Sequence, residues 1–368
     1  MSLSRGYSAV DRALHHVAFT LPGVQRTLAD LETDLYRRQL ATVVSRDEVF
    51  VTGVPRAGTT LVLELLYGTG EFASFTYRDM PFILSPLLWR RFSRSRQLQG
   101  KRAERAHGDG MEVSYDSPEA FEEVAWLALL GRHILRKDTL APVPRQAMTP
   151  EAAEGLQTLV RKLLLAAAPE VDERQPLRYL SKNNANLSRL RVIEALFPSS
   201  RVLVVYRNPL AQVASLAGQH ERFLAEHASD AFSRRYMRWI GHFEFGANLR
   251  PIDFDGQYSR NGVPQDADTT FWLDYWTAAY RHALDKRGPR VHFVDFDALL
   301  AEPGPSLERL ARIVGLRDAG RLVAAAATLR KPTVQPLVPE NVPLPVLQAA
   351  QAVHRELQDA AAADGKPD

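Results

Sequence analysis

The stretch that decides the fold reads Val49-Phe50-Val51-Thr52-Gly53-Val54-Pro55-Arg56-Ala57-Gly58-Thr59-Thr60 and runs into an apolar segment at 61–67. A short apolar run that ends on glycine reads as a buried strand, and the segment after the loop reads as a helix. A loop that enters a helix N-terminus offers backbone N–H groups and the helix dipole to an anion. Gly53 and Gly58 give the backbone the freedom to wrap a phosphate closely. The spacing G-x-x-x-x-G is that of a nucleotide-binding loop, but the lysine expected after the second glycine is Thr59 here. Without that lysine, γ-phosphate transfer is disfavoured. The positive charge lies inside the loop instead, as Arg56. A glycine-rich turn that binds nothing is the plain alternative, with little use for an arginine, two glycines and paired threonines.

Outward from this loop, strands are expected at 72–77, 178–181, 202–206 and 291–296. The clearest is Val202-Leu203-Val204-Val205-Tyr206, a continuous apolar run suited to a parallel strand covered on both faces. Helices are expected within 8–40, from Ser117 and Pro118 through 130, and at 151–168, 187–197 and 307–314. Strands alternating with helices predict an α/β fold, a three-layer α/β/α arrangement around a central parallel sheet. One domain is expected over 1–368, with N-terminal helices at 8–40, a core at 48–332, and a strap and helix at 333–368. Residues 241–269, rich in Gly, Asp and Asn, read as a long loop or lid, and the Pro-rich stretch 332–345 as an extended strap.

Composition narrows the chemistry. The 368 residues are 45% hydrophobic and 24% charged, ordinary for a globular protein with a substantial core. Cysteine is absent, which excludes disulfides, thiolate zinc sites and cysteine nucleophiles. No window of about 18 uninterrupted apolar residues predicts a membrane span. The chain does not start with a basic segment followed by an apolar run, so a cytoplasmic location is expected. A net charge of +3 is too small to argue for a nucleic-acid partner. One basic cluster stands out: Arg90, Arg91, Arg94, Arg96, Lys101, Arg102 and Arg105. It reads equally as a solvated helix face or as a mouth that attracts an anionic cofactor or acceptor.

A second anion element follows the strand at 202–206, where Arg207-Asn208-Pro209 leads into a helix that carries Ser215. Arginine offers a bidentate fork to a phosphate and serine one more donor. Alone, an arginine at a strand end and a solvent-facing serine would be unremarkable. Together with the first loop they resemble sulfotransferases that use 3′-phosphoadenosine 5′-phosphosulfate (PAPS). Pro55-Arg56-Ala57-Gly58-Thr59-Thr60 is similar to that family's 5′-phosphosulfate loop, in the arginine form of tyrosylprotein sulfotransferases and many bacterial relatives. Arg207 with Ser215 is similar to its 3′-phosphate element, although Asn208 stands where the family often has Asp.

The resemblance implies a P-loop-like fold and sulfuryl transfer to a hydroxyl acceptor, with 3′,5′-adenosine bisphosphate as product and no metal. It implies that Arg56, Ala57, Gly58, Thr59 and Thr60 cradle the 5′-phosphosulfate, and that Arg207 and Ser215 hold the 3′-phosphate. Lys182, in Leu180-Ser181-Lys182-Asn183, takes the place of a lysine that assists the departing phosphate. Lys331, in Leu329-Arg330-Lys331-Pro332, resembles a late basic loop that closes over the nucleotide. Val294-Asp295-Phe296 with Glu302-Pro303 is similar to the family's Tyr-Glu-Asp-Leu segment. Asp79 stands where tyrosylprotein-type relatives carry a glutamate base, though a pair with Arg78 or a helix cap would also account for it. His107 or Asp109, between flanking glycines, is the second candidate; an ordinary loop histidine is the alternative. The other acids within 112–123 read as a solvated helix face.

The acceptor is expected to be a carbohydrate or a small hydroxylated metabolite, since Trp89 and Phe92 in the basic stretch would suit an anionic sugar chain. A nucleoside or nucleotide kinase is the rival enzyme, yet the strand ends carry Lys182 and Arg207 where Mg²⁺ would need acids. A non-catalytic nucleotide- or polyanion-binding module is the rival of another class.

Overall fold

Among the described residues the strands are β1 (Val49–Thr52), β2 (Phe72–Ala73), β3 (Ala103–Glu104), β4 (Glu112–Val113), β5 (Arg178–Lys182), β6 (Arg201–Tyr206) and β7 (Val291–Asp295). The computed structural model describes residues 9–21, 23–94, 103–104, 112–113, 117–168, 176–264, 266–330 and 342–364. β3 and β4 form a small antiparallel pair. The other five form one sheet, ordered β2-β5-β1-β6-β7, in which every pairing is parallel. β1 is therefore central, with Val51 level with Lys182 of β5 on one side and with Leu203 of β6 on the other.

Successive side chains of a strand point to opposite faces, and here both faces are buried. Phe50, Val202, Val204 and Tyr206 belong to one apolar cluster, whereas Val49, Val51, Leu203 and Val205 belong to another. Helices Thr59–Tyr67, Phe296–Ala301 and Pro303–Val314 supply the second cluster. Helices Glu123–Ile134, Pro150–Ala167, Pro209–Ser229, Thr269–Asp285 and Leu344–Ala363 contribute to the first. The three-layer α/β arrangement expected from the alternating strands and helices is what forms. No helix among the described residues is long and apolar enough to cross a membrane.

The structure departs from the sequence expectations where partners are distant. The strand expected at 72–77 leaves the sheet after Ala73, because Phe75 and Thr76 pair with Pro118 and Glu119 instead. That pairing holds Ser117 and Pro118 extended, so the helix begins at Glu123. Helix Thr269–Asp285 was not anticipated; Asp268 caps it by accepting from Phe271 N, and its apolar face is hidden among aromatic residues.

Of the acids expected on a solvated face, Glu119, Glu122 and Glu123 are buried. Glu123 accepts two hydrogen bonds from Arg189, at 2.6 and 2.8 Å, and a third from Asn183 Nδ2 at 2.8 Å. Arg189 also lies over the Trp126 ring, 4.6 Å from its centroid. Glu122 accepts from Tyr179 Oη, Trp126 Nε1 and Asn186 Nδ2. Burial, and then the Glu122 carboxylate, push the Tyr179 phenol well above its ordinary range. These bonds fix the C-terminal end of β5, and hence Lys182, against helix Glu123–Ile134.

Removing one member of a buried pair leaves an uncompensated charge, which costs about 3–5 kcal/mol. Glu123→Ala should therefore lower the urea midpoint by that equivalent with the slope unchanged. A loss below about 1 kcal/mol would mean that Arg189 finds water, contrary to the burial seen here.

Candidate active site

Gly53 ends β1 so close to β6 that a Cβ there would lie 2.3 Å from Val205 O. Only glycine permits that approach. Gly58, with φ 96°, precedes helix Thr59–Tyr67, and a Cβ on it would strike the Phe296 ring. Between them Arg56 adopts φ 68°, a left-handed conformation uncommon for a residue with a side chain. Such strain persists only where the surroundings enforce it, and it concentrates at functional sites.

Buried side chains from two helices enforce it. Gln212 Nε2 donates to Val54 O and Pro55 O at 2.9 and 3.0 Å, and Gln212 Oε1 accepts from Trp276 Nε1 at 2.9 Å. Tyr280 Oη donates to Val205 O and accepts from Val54 N. With these loop carbonyls held from within, the first N–H groups of helix Thr59–Tyr67, which have no intrahelical partner, remain to meet an anion.

Cations gather around this loop. Arg56 Nε donates to Ser215 Oγ at 3.0 Å, which joins the two elements that the sequence had separated. Lys182 ends β5 beside β1, is buried, and pairs with Glu119 at 3.6 Å. Arg207 follows β6 on the other side, pairs with Asp297 at 3.3 Å, and lies over the Phe296 ring. Asn208 Oδ1 accepts from Leu210 N and Ala211 N, doing the capping that Asp would do in its place.

A cleft holding about 550 Å³ of empty space, part of it open to solvent, is lined by Arg56, Thr59, Thr60 and Lys182. His227, His242 and Glu244 line the same cleft. Glu244 Oε1 accepts from Asn184 Nδ2 at 3.3 Å, and Asn184 Oδ1 accepts from Thr59 Oγ1 at 3.4 Å, so a polar chain links Glu244 to the start of helix Thr59–Tyr67. A second cleft shares Pro55, Asn184, His242 and Glu244 with the first, and is walled by Leu140, Phe243, Ile252, Phe254 and Trp272. Cations that share a cleft with a carboxylate and imidazoles are an arrangement suited to group transfer onto a hydroxyl.

Asp79 lines neither cleft. Arg90 grips both of its oxygens, at 2.6 and 2.9 Å, and Thr76 N donates to it at 2.8 Å, so this carboxylate caps a turn and neutralises a buried guanidinium. Of the basic cluster, Arg90 is buried in that pair and Arg91 is exposed. His107 and Lys331 lie outside the described residues, as do Arg96, Lys101, Arg102 and Arg105. Gln212, Asn184, His227, His242 and Glu244 were missed by sequence reasoning. Only Gly241-His242-Phe243-Glu244 carried a signal, as polar residues in the stretch read as a lid.

The sequence model described as "Sulfotransferase family" matches residues 48–254, more than half of the chain. The chain belongs to the sulfotransferase family. Among solved structures, sulfotransferase STF9 from Mycobacterium avium is similar in fold, with a TM-score of 0.53 at 14% identity, covering 97% of this chain and 87% of that one. Sulfotransferase STF1 from Mycobacterium tuberculosis H37Rv aligns over 96% of this chain and 86% of its own, at 14% identity and a TM-score of 0.49. No curated protein matches significantly. The family match ends at Phe254, short of Trp272 in the lining of the second cleft.

Gln212→Leu in this sulfotransferase would strip two carbonyls and the Trp276 N–H of their partner, at roughly 1–3 kcal/mol for each group left unpaired. The variant should melt earlier and gain less thermal stabilisation from inorganic sulfate than the wild type. Unchanged melting and an unchanged sulfate response would show that Gln212 does not hold the loop.

Proposed function

We propose that this sulfotransferase takes PAPS as donor and transfers its sulfuryl group to the hydroxyl of a small, largely apolar acceptor. The observation that carries this reading is the strained loop at Arg56, which lines one cleft with Lys182 and Glu244, while Arg207 follows the neighbouring strand β6. Guanidinium forks, hydroxyls and helix N–H groups form the donor set that phosphate and sulfate oxygens require. Arg56 with Thr59 and Thr60 would hold the 5′-phosphosulfate, and Arg207 with Ser215 the 3′-phosphate. PAPS supplies an S–O bond to a phosphate, which breaks as the acceptor oxygen bonds to sulfur. Glu244 is positioned by Asn184 to take the acceptor's proton. Lys182 and Arg56 neutralise the charge that collects on the departing phosphate oxygen.

This assignment gives the base role to Glu244 rather than Asp79, because Glu244 lines the cleft that Arg56 and Lys182 line and Asp79 is occupied by Arg90. The aromatic and aliphatic wall of the adjoining cleft favours a metabolite with an apolar body over an anionic sugar chain.

Labelled PAPS offered with a phenol, a long-chain alcohol and a hexose should label the first two in preference. Glu244→Gln should lower kcat about 10²–10⁴-fold, the usual contribution of a general base. Arg56→Ala should lower kcat/KM by at least about 10²-fold, the scale of one lost oxyanion donor. Arg207→Ala should instead weaken 3′,5′-adenosine bisphosphate and erode its advantage over AMP. An unaltered advantage would refute the 3′-phosphate assignment.

A further inference from the structure

We propose that the acceptor carries a carboxylate as well as its hydroxyl, and that Arg250 binds that carboxylate in the apolar cleft beside the transfer site. Arg250 is half-buried and belongs to the lining of this cleft, together with Phe243, Leu249 and Ile252. Its Cζ lies 5.4 Å from the centroid of the Phe243 ring, so the guanidinium rests on a ring that is itself part of the lining. Backbone bonds fix this placement. Arg250 N donates to Phe243 O at 2.8 Å, and Leu140 donates to Pro251 O at 2.9 Å while accepting from Asp253 N at 2.8 Å. An arginine stacked on an aromatic face keeps its N–H edge available to an anion.

The charge of Arg250 has no partner within the protein. Among the described residues its guanidinium makes no hydrogen bond and no ion pair. Its charged neighbours differ: Lys182 pairs with Glu119, Arg56 donates to Ser215, and Glu123, which lines the same cleft, is held by Arg189. Ligand pockets are mostly apolar, with a few polar groups that fix the ligand's orientation. An unpaired guanidinium in such a lining is suited to a carboxylate that arrives with the ligand, because its fork meets both oxygens. One guanidinium also balances only one negative charge. A phosphate dianion would bring a second into a cleft that already contains Glu244, and burying unpaired charge is costly.

Glu244 lines both this cleft and the one that holds Arg56 and Lys182. An acceptor with its hydroxyl at Glu244 and its carboxylate at Arg250 therefore lays an apolar body between two polar ends. The class is a hydroxy acid with an aromatic or aliphatic body; phenols and alcohols without the charge remain weaker acceptors.

The inference rests on the reading of this cleft as the acceptor's site, but its test does not require the donor. A hydroxyphenylpropanoate and a terminally hydroxylated fatty acid, each with its methyl ester, would be titrated calorimetrically into the full-length protein and into Arg250→Leu and Arg250→Lys. In at least one pair the wild type should bind the acid about tenfold or more tightly than the ester, the scale of one charge-assisted hydrogen bond. Arg250→Leu should lose that preference, with the loss falling on the acid far more than on the ester. Arg250→Lys keeps the charge without the fork and should retain part of it. With PAPS, kcat/KM for the acid should follow the same order. No advantage for the acid in either pair, or an advantage that survives in Arg250→Leu, would overturn the assignment. An intact advantage without any transfer from PAPS would remove the donor reading and leave Arg250 as a carboxylate site.

Discussion

The site depends on one approach: the phosphate loop lies on the end of β6 so closely that Gly53 has no room for a side chain. A parallel sheet places the ends of β5, β1 and β6 together at one edge, where open α/β sheets bind ligands. In the proposed reading that edge takes an anion only because the loop after β1 packs against the end of β6. Gln212, itself bonded by Trp276, then donates to two of its carbonyls, and Tyr280 donates to Val205 O. The left-handed backbone at Arg56 follows from this clamp, and it turns the arginine toward Ser215.

Around the loop the interior is unusually polar for a core. Glu122, Glu123, Arg189 and Asn183 could in principle be replaced by packed apolar residues, since buried ion pairs seldom add net stability. Their effect here is positional: they fix the end of β5 from which Lys182 and Asn184 reach the cleft. Glu119 beside Lys182 and Asp297 beside Arg207 keep those buried cations compensated within the protein. An anion that enters such a site meets side chains already held in place, so less ordering remains to be done on binding.

What the sequence revealed was local. β1 lies beside its glycine loop and β6 beside Arg207, and within each pair the apolar run and the turn residues carry the signal directly. What it hid was set by distant partners. Glu122 and Glu123 look like surface charges until Tyr179, Asn183, Asn186 and Arg189 come to meet them. Gln212 looks like any helical glutamine, and nothing near Glu244 or His227 shows that 241–247 folds against the phosphate loop. Asp79 stood at the position that the resemblance gave to a base, but Arg90 on helix Pro86–Arg94 claims it. The order of elements was legible, whereas the residues of 242–245 that share the cleft with Arg56 and Lys182 were not.

The most direct test of PAPS as donor is a thermal-shift titration with 3′,5′-adenosine bisphosphate, ADP, ATP and AMP, without magnesium. A ligand that binds only the folded state at about 100 times its Kd adds roughly 2.7 kcal/mol of stability. A shift selective for the bisphosphate is expected, because Arg207 and Ser215 are assigned to the 3′-phosphate. No shift, or a preference for ATP that appears only with magnesium, would contradict PAPS-dependent transfer at this site.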